Sequence, residues 1–598
     1  MNFPSTRRRG ALSAVPFVLA VALLAGCAST PAARTDSSST DSSTADTVAG
    51  ATTSASATAL STAAEVLTAN LAVTDTSAAT WEESAEIAVT LAGDASSATG
   101  TGASGAVSVS SSAAGGSTVT ITAAGTYRLS GTLADGQVIV NTADSGTVRL
   151  VLDGIDVSSS TTAAINVTDA DTVAVVLAAG SENVLSDTSS YAEADEANAA
   201  LYSSADLTIT GTGALTVNGN GNDGITGKDG LVIDSGTITV TAADDALRGK
   251  DYLVVTGGTL DLTAGGDGLS SDNAEDAAAG FIALTGGTID VIADGDGVAA
   301  VTDVVVTGGD VGIESGGGAG ASVADDASAK GLKAGVIVVI EGGTLNVDAA
   351  DDAVHSDSIV HVAGGGLTLA AGDDAVHADV ELLVSGGTLT VTESYEGLES
   401  AAITVSDGVL TIAASDDGIN AAGGSASGTE RQRGGMSQAG DYSLNVTGGS
   451  ITINASGDGF DSNGSASITG GSLVVNGPTD NGNGSLDVDG TFEISGGSLL
   501  AVGSSGMVVT PDSTSGQGTL SASLGSTQAA GTVVTVVAAG GSQVLEHEAV
   551  KAFQSVVFSS ADVVDGASYE VYADGVLVAT VTAGVAAAGG MGGGPTGR

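Results

Sequence analysis

Positive charge, aromatic rings and cysteine are all scarce in this chain. Against 70 Asp and Glu residues stand 15 Lys and Arg, for a formal net charge of -55. Such a surface makes nucleic acid and an anionic membrane face electrostatically unfavourable partners. Cations, neutral polymers and anions bridged by cations remain, and solubility alone also accounts for an acidic surface. Aromatic residues make up 3% of the chain, too few for a sandwich core built on large rings. The single cysteine, Cys27, excludes a disulfide within the chain. Lys and Glu are thin where Gly, Thr, Val, Ser, Asp and Ala abound, which favours strands and tight turns over helices.

The apolar run at residues 11–24 follows Arg7, Arg8 and Arg9 and leads into "LAGC", ending at Cys27. It is too short for a permanent membrane span. The arrangement resembles a bacterial lipoprotein signal, so residues 1–27 are expected to be a signal peptide and Cys27 the lipidated residue. The protein is then expected on the extracellular face of the bacterial cell membrane, touching it only through the lipid anchor. Residues 28–80, mostly Ser, Thr, Ala and Asp, read as a disordered tether. Residues 81–116 read as an irregular N-terminal segment with one capping strand, "AEIAVTLAG".

From residue 117 onward short alternating runs are separated by Gly and Asp turns, and a unit of the form GG(T/S)(L/I)xV recurs. Its second glycine falls at Gly236, Gly258, Gly287, Gly309, Gly343, Gly365, Gly387, Gly449, Gly471 and Gly497, with Gly408 standing in once. The base period is 22 residues with insertions, the mark of a repeat array. The Leu and Asn scaffold of leucine-rich repeats is missing, and so is a nine-residue period. The expected fold is therefore all-β, a parallel β-helix solenoid over residues 117–498 with about 22 residues per coil. A small β cap is expected at residues 499–584 and a disordered Gly-rich tail at 585–598.

Stacking the units turns the period into columns. The turn after each GGTLxV strand gives a first column of Asp223, Asp245, Asp267, Asp296, Lys330, Asp352, Asp374, Glu396, Asp417 and Asp458. Three residues on runs a second: Thr226, Arg248, Ser270, Ala299, Lys333, His355, His377, Glu399, Asn420 and Asp461. Asp and Asn favour turns for shape alone, which explains one carboxylate per turn but not two or three. Unit charges at the strand spacing of about 4.8 Å repel by roughly 1 kcal/mol in water and several times that at low dielectric. Cations are needed to offset the repulsion. Four of the chain's lysines, Lys228, Lys250, Lys330 and Lys333, lie in these turns, whereas the units from 349 to 417 carry only His355 and His377. A bound metal is the simplest source of the missing charge there. The candidate metal ligands are Asp245, Asp267, Asp272, Asp351, Asp352, Asp357, Asp373, Asp374, Asp379, Glu396, Asp416 and Asp417. Oxygen ligands from short turns suit several calcium ions, and the two histidines keep a transition metal as the alternative.

The series "GTYRLSGTLADGQVIVN" (125–141), "RLVLDGIDV" (149–157), "NDGITGKDGL" (222–231), "KGLKAG" (330–335), "DDAVHSD" (351–357), "GGTLTVTESYEGLES" (386–400) and "SDDGINAAGG" (415–424) resembles a bacterial family, the carbohydrate-binding domain-containing proteins. The resemblance implies a right-handed parallel β-helix, similar in shape to family 9 polysaccharide lyases, with calcium in Asp-rich turns. It also implies binding of plant cell-wall polysaccharides, cellulose and polygalacturonate among them, without established lyase activity. This chain departs from the family in a Gly-rich insertion at 424–440 and in "DDASAKGLK" at 325–333.

The expected function is polysaccharide binding by a monomeric surface lipoprotein. An acidic polymer is favoured, because calcium bridges two sets of carboxylates whereas aromatic platforms for a neutral glucan are few. His355, His377, Glu399, Asn420 and Tyr395 are the expected ligand-binding residues. Catalysis is not required. The alternative is a calcium-dependent pectate lyase, with Lys330 or Lys333 as the base that removes the C5 proton and Lys250 or Lys228 in reserve. A structural stalk or adhesin is the third reading.

Overall fold

The computed structural model describes residues 62–77, 80–111, 116–192, 195–324, 327–423 and 439–585. The signal peptide, Cys27, the first part of the tether, most of the 424–440 insertion and nearly all of the 585–598 tail lie outside the described residues.

The chain is all-β, as the composition implies. Three strands recur per repeat unit, for instance Leu247–Gly249, Tyr252–Val255 and Thr259–Ala264, followed by Leu269–Ser271, Phe281–Leu284 and Thr288–Ala293. Each strand pairs in parallel with its counterpart in the next unit: Leu247 with Leu269, Tyr252 with Phe281 and Thr259 with Thr288. Together with a few antiparallel strands at its two ends, this stack joins 44 strands of the described residues into one sheet. Alternation supplies the core. Along Thr259–Ala264 the side chains of Leu260, Leu262 and Ala264 are buried while Thr259, Asp261 and Thr263 are exposed. The departures from 22 residues sit in loops between strands, such as 272–280 and 316–331, so the ladder keeps its register across them.

The glycine of each GG pair marks where one strand turns into the next. Gly365 has φ +82° and Gly471 φ +75°, a left-handed backbone that costs any other residue about 1–2 kcal/mol. Neighbouring units also approach closely here: a Cβ on Gly471 would lie 2.4 Å from the carbonyl oxygen of Gly448.

The structure revises the reading of residues 62–77 as tether. Residues Ala63–Ala69 form a helix with a capping box between Thr62 and Glu65, and the segment lies across the strands of several units. Ala63 N–H donates to Glu341 Oε1 at 2.9 Å, Asn70 Nδ2 to Asp303 Oδ2 at 2.7 Å, Leu71 N–H to the Ala278 carbonyl at 2.8 Å and Thr74 N–H to the Tyr252 hydroxyl at 2.9 Å. Val66 packs with Val305, Ile337 and Val339. A segment too small to build a core borrows one from the outer face of the repeat strands. The signal lay in those strands, not in the segment. Tyr252–Val255, Phe281–Leu284 and Ile337–Ile340 are buried on both faces and read as unbroken apolar runs, whereas Ser443–Val446 and Ser465–Ile468 alternate.

At the N-terminal end Ile87–Ala92 pairs in parallel with Gly125–Leu133. Beyond the repeats, Phe553–Ser559 runs antiparallel to both Ser498–Gly503 and Thr519–Gln528. A separate four-stranded antiparallel sheet follows, built from Val533–Ala538, Gln543–Glu548, Ser568–Ala573 and Val576–Thr582.

Gly471→Ala is expected to lower unfolding stability by at least about 2 kcal/mol. Gly366→Ala, on a strand where a Cβ meets nothing within 4 Å, is expected to stay within about 0.5 kcal/mol of the parent. Urea midpoints at constant m-value check both. Val66→Asp is expected to release residues 62–77, read as faster proteolysis confined to that segment.

Candidate functional site

The first column of the alignment is a column in space. The N–H that follows each member donates to the carbonyl of the next member: Gly224 to Asp245, Ala246 to Asp267, Gly331 to Asp352, Ala353 to Asp374, Ala375 to Glu396, Gly397 to Asp417 and Gly418 to Asp458. Side chains tie the units a second time. Oδ1 of Asp245 accepts from the N–H of Asp267 at 2.9 Å, Asp267 from Asp296 at 2.8 Å, Asp296 from Lys330 at 2.8 Å, and Asp352 from Asp374 at 3.0 Å. Asp417 does the same for Asp458. In these turns one carboxylate oxygen therefore satisfies a backbone donor of the neighbouring unit, and Oδ2 is left for the second column.

Strand register confirms the second column as Thr226, Arg248, Ser270, Ala299, Lys333, His355, His377, Glu399, Asn420 and Asp461. Its Lys and His side chains face the first column. Lys333 Nζ lies 3.0 Å from Asp296 Oδ2, and His355 Nδ1 lies 2.8 Å from Asp352 Oδ2 with Nε2 3.0 Å from Asp357. His377 repeats the pattern, with Nδ1 2.9 Å from Asp374 and 3.1 Å from Glu399, and Nε2 3.2 Å from Asp379. The two imidazoles stack at 5.0 Å between centroids. Lys330 reaches forward to Asp351 and Asp352, 2.8 Å from each. Arg248 pairs with Asp223 and Asp272.

Part of the positive charge that the sequence reading gave to a metal between 349 and 417 thus comes from side chains. Burial lowers the His377 pKa, but the hydrogen bonds with Asp374 and Glu399 outweigh it and push the imidazole up to about 11. Burial lifts Asp374 well above the carboxylate range. It also acts to raise Glu399, but His377 and Asp374 outweigh it and hold that group down. Burial likewise opposes the charge on Lys330, yet Asp352 and Asp351 raise its pKa overall. An ammonium so held is a poor proton acceptor, which weighs against Lys330 as a lyase base. Lys333 is tied to Asp296 and to Ser328.

Further along, carboxylates stand together without a basic partner among the described residues. Burial and the Glu399 charge push Glu396 up to about 8, burial and Asp458 push Asp417 up to about 7, and burial with Asp417 and Asp458 pushes Asp461 up to about 9. Asp267 rises to about 7 from burial and the charge of Asp296. Asn420 donates through Nδ2 to Glu396 at 2.9 Å, and its buried Oδ1 has no hydrogen-bond partner.

Two sets of side chains bring potential ligand atoms within 4.8 Å of one another: Asp351, Asp352 and Asp373, and Asp374, His377 and Glu399. The first offers only oxygen. The second offers one imidazole nitrogen with two carboxylates, so a metal there would compete with the proton on His377. Of the other candidates, Asp357 and Asp379 reach the histidines, Asp272 reaches Arg248, and Asp416 and Asp417 lie beside Asp458. Asp245 and Asp267 sit in the first column two units or more before Asp352, outside either set. Tyr395 joins the turn through its backbone, donating to the Asp373 carbonyl and accepting from Asp416 N–H at 2.8 Å each. Sequence reading did not foresee the backbone-capping role of the aspartates, because periodicity reports which residues align and not which donor each oxygen meets.

The proton inventory gives these turns a pH signature. Carboxylates titrating near 7 to 9 hold protons in the folded state that an unfolded chain releases around pH 4. His377 holds one that an unfolded chain releases around 6.5. Both make the folded state the richer in protons, so stability falls as pH rises from about 4 through 9, and through 11 for His377. In chelator, the melting temperature is expected to fall steadily from pH 5 to pH 9. Added calcium is expected to restore it at pH 9 and change little at pH 5. Melts at pH 9 that ignore both calcium and chelator would remove cations from the account.

Comparison with known proteins bears on the same stretch. A carbohydrate-binding domain-containing protein from Acetivibrio thermocellus is 42% identical over 128 residues, which is 21% of this chain and 45% of that protein. The chain therefore spans less than half the length of this curated relative. A solved polysaccharide lyase-like protein from C. thermocellum, a gadolinium derivative, is 35% identical with a TM-score of 0.36, over 39% of this chain and 92% of that one. Residues 115–375 match the family of carbohydrate-binding domain-containing proteins, the family that the turn motifs resemble.

Proposed function

We propose that this protein is a cell-surface lipoprotein, anchored through Cys27, that binds extracellular polysaccharide without cleaving it. Acidic polymers such as polygalacturonate are the favoured ligands, with cellulose the neutral one. The family match over residues 115–375 supports carbohydrate binding. The observation that carries the reading is the unbroken backbone ladder from Asp223 to Asp458, which sets acidic turns in a straight row. Its pitch of about 4.8 Å is on the scale of a sugar residue in an extended chain. Such a row suits a linear polymer better than a compact ligand. The parallel pairing three strands apart through most of the array supports a parallel β-helix, the fold we assign to residues 117–498, and the family resemblance supports its right hand.

Calcium is the cation we assign to the row. Asp351, Asp352 and Asp373 form an all-oxygen set, and the stretch from Glu396 to Asp461, with the unpartnered oxygen of Asn420, is rich in hard donors and short of positive charge. Bound there, calcium would neutralise the turns and leave coordination positions for the carboxylates of a uronate chain. The protein's own groups set the geometry: Lys330 and the histidines fix the carboxylates, and the first column holds them at strand spacing. Neither Lys330 nor Lys333 is placed to abstract a proton, since each is ion-paired to aspartate.

Pull-down on polygalacturonate, cellulose and xylan, with calcium and with chelator, tests the reading. Retention on polygalacturonate is expected in calcium and loss of at least about tenfold in chelator, with no unsaturated product absorbing in the ultraviolet. Product formation would turn the reading to a lyase, and failure to bind any polymer in either condition would turn it to a passive stalk.

A further inference from the structure

At the start of the acidic row the same face carries a pocket of the opposite character. It has a volume of about 290 Å³, and Lys228, Arg248, Lys250, Tyr202, Asp195 and Glu196 are among the residues that line it. Three of the chain's 15 basic residues meet here in a protein of net charge -55. The Arg248 guanidinium is committed to Asp223 and Asp272. The ammonium groups of Lys228 and Lys250 are not: among the described residues neither has an ion pair, in contrast to Lys330 and Lys333. Gly227 and Gly249 pair in register, so Lys228 and Lys250, the residues that follow them, rise from adjacent strands and place two like charges side by side.

A second observation points to a ligand. Tyr202 is 2% exposed, and its hydroxyl is buried with no hydrogen-bond partner. It stands in the second column, in register with Thr226, which is in register with Arg248. A buried phenol without a partner is a group waiting for one. Asp195 and Glu196, both exposed at the rim, repel a bare inorganic anion and accept hydrogen bonds from hydroxyl groups. Cations for a carboxylate, carboxylates for hydroxyls and a buried hydroxyl donor together describe a polyhydroxylated acid.

We propose that this pocket binds a hexuronate residue of an acidic polysaccharide directly, with its carboxylate on Lys228 and Lys250 and its hydroxyls on Asp195, Glu196 and Tyr202. The inference rests on the acidic-polymer reading for the origin of the sugar, but it needs no metal. Sequence reading held Lys228 and Lys250 only as bases in reserve. It missed Asp195 and Glu196, which lie ahead of the regular period.

Titration calorimetry of the full-length protein with galacturonate and digalacturonate in chelator, against galactose and inorganic phosphate, tests it. Saturable binding of both uronates is expected, with none of galactose and at least about tenfold weaker binding of phosphate. Lys228→Ala/Lys250→Ala, altered only at the pocket rim, is expected to weaken uronate binding at least about tenfold, and Tyr202→Phe several-fold with the fold intact by circular dichroism. Absence of uronate binding by the parent protein in chelator, equal binding by the double variant, or phosphate binding as tight as uronate would each overturn the proposal. Loss of polygalacturonate retention in calcium would sink the polymer reading alone, because the uronate titration is independent of it.

Discussion

Parallel stacking at a fixed strand spacing is the constraint from which the rest of this molecule follows. A repeat that places Asp in its turn places the next Asp about 4.8 Å away, and the next beyond it. The ladder that aligns Leu260 with Ile289 in the core also aligns carboxylates at the surface. Core and charge cannot be tuned separately: a shift of register to part the acids would turn Leu260 and Leu262 outward. The acids are therefore answered where they stand.

They are answered in three ways along the chain. In each turn where Oδ1 accepts a backbone N–H from the next unit, a repeated acid becomes part of the scaffold. In the middle units the second column supplies Lys333 and His377, with His355 placed against Asp352, and Lys330 reaches across from the first, so the negative charge is partly offset by neighbouring side chains. Towards Asp461 neither device suffices, and the carboxylates retain protons near neutral pH. Protons and divalent cations are interchangeable solutions to that last stretch. A cation bound there would therefore act on stability as much as on recognition.

The sequence made the columns legible and left their chemistry open. A period of 22 with glycine marks was enough to align His355 with His377 and Asp352 with Asp374, because insertions such as 316–331 sit in loops and leave the register intact. The role of the histidines was not legible. In a column of acids an imidazole reads equally as a metal ligand or as a counter-charge, and only the placement of Nδ1 against Asp352 or Asp374 and of Nε2 against Asp357 or Asp379 shows each ring bridging two carboxylates. Residues 62–77 were misread for a related reason. Their order depends on the doubly buried strands Tyr252–Val255 and Ile337–Ile340, distant in sequence, and composition of the segment itself carries no trace of that partner.

The distribution of charge along the array gives the face a direction. Lys228 and Lys250 stand at the start of the row, the paired lysines and histidines occupy its middle, and the acids from Glu396 to Asp461, without a basic partner among the described residues, lie at its far end. A uniform acidic face would treat an anionic polymer alike at every unit, and would need bridging cations throughout. On the function and the pocket proposed above, this face would offer direct cationic contact at one end and cation-mediated contact at the other. The row of turns is then polar in the geometric sense, and a polymer with distinguishable ends would take a preferred orientation along it. Part of that polarity arises in one repeated slot, where Arg248, Lys333, His377, Asn420 and Asp461 occupy equivalent positions in register.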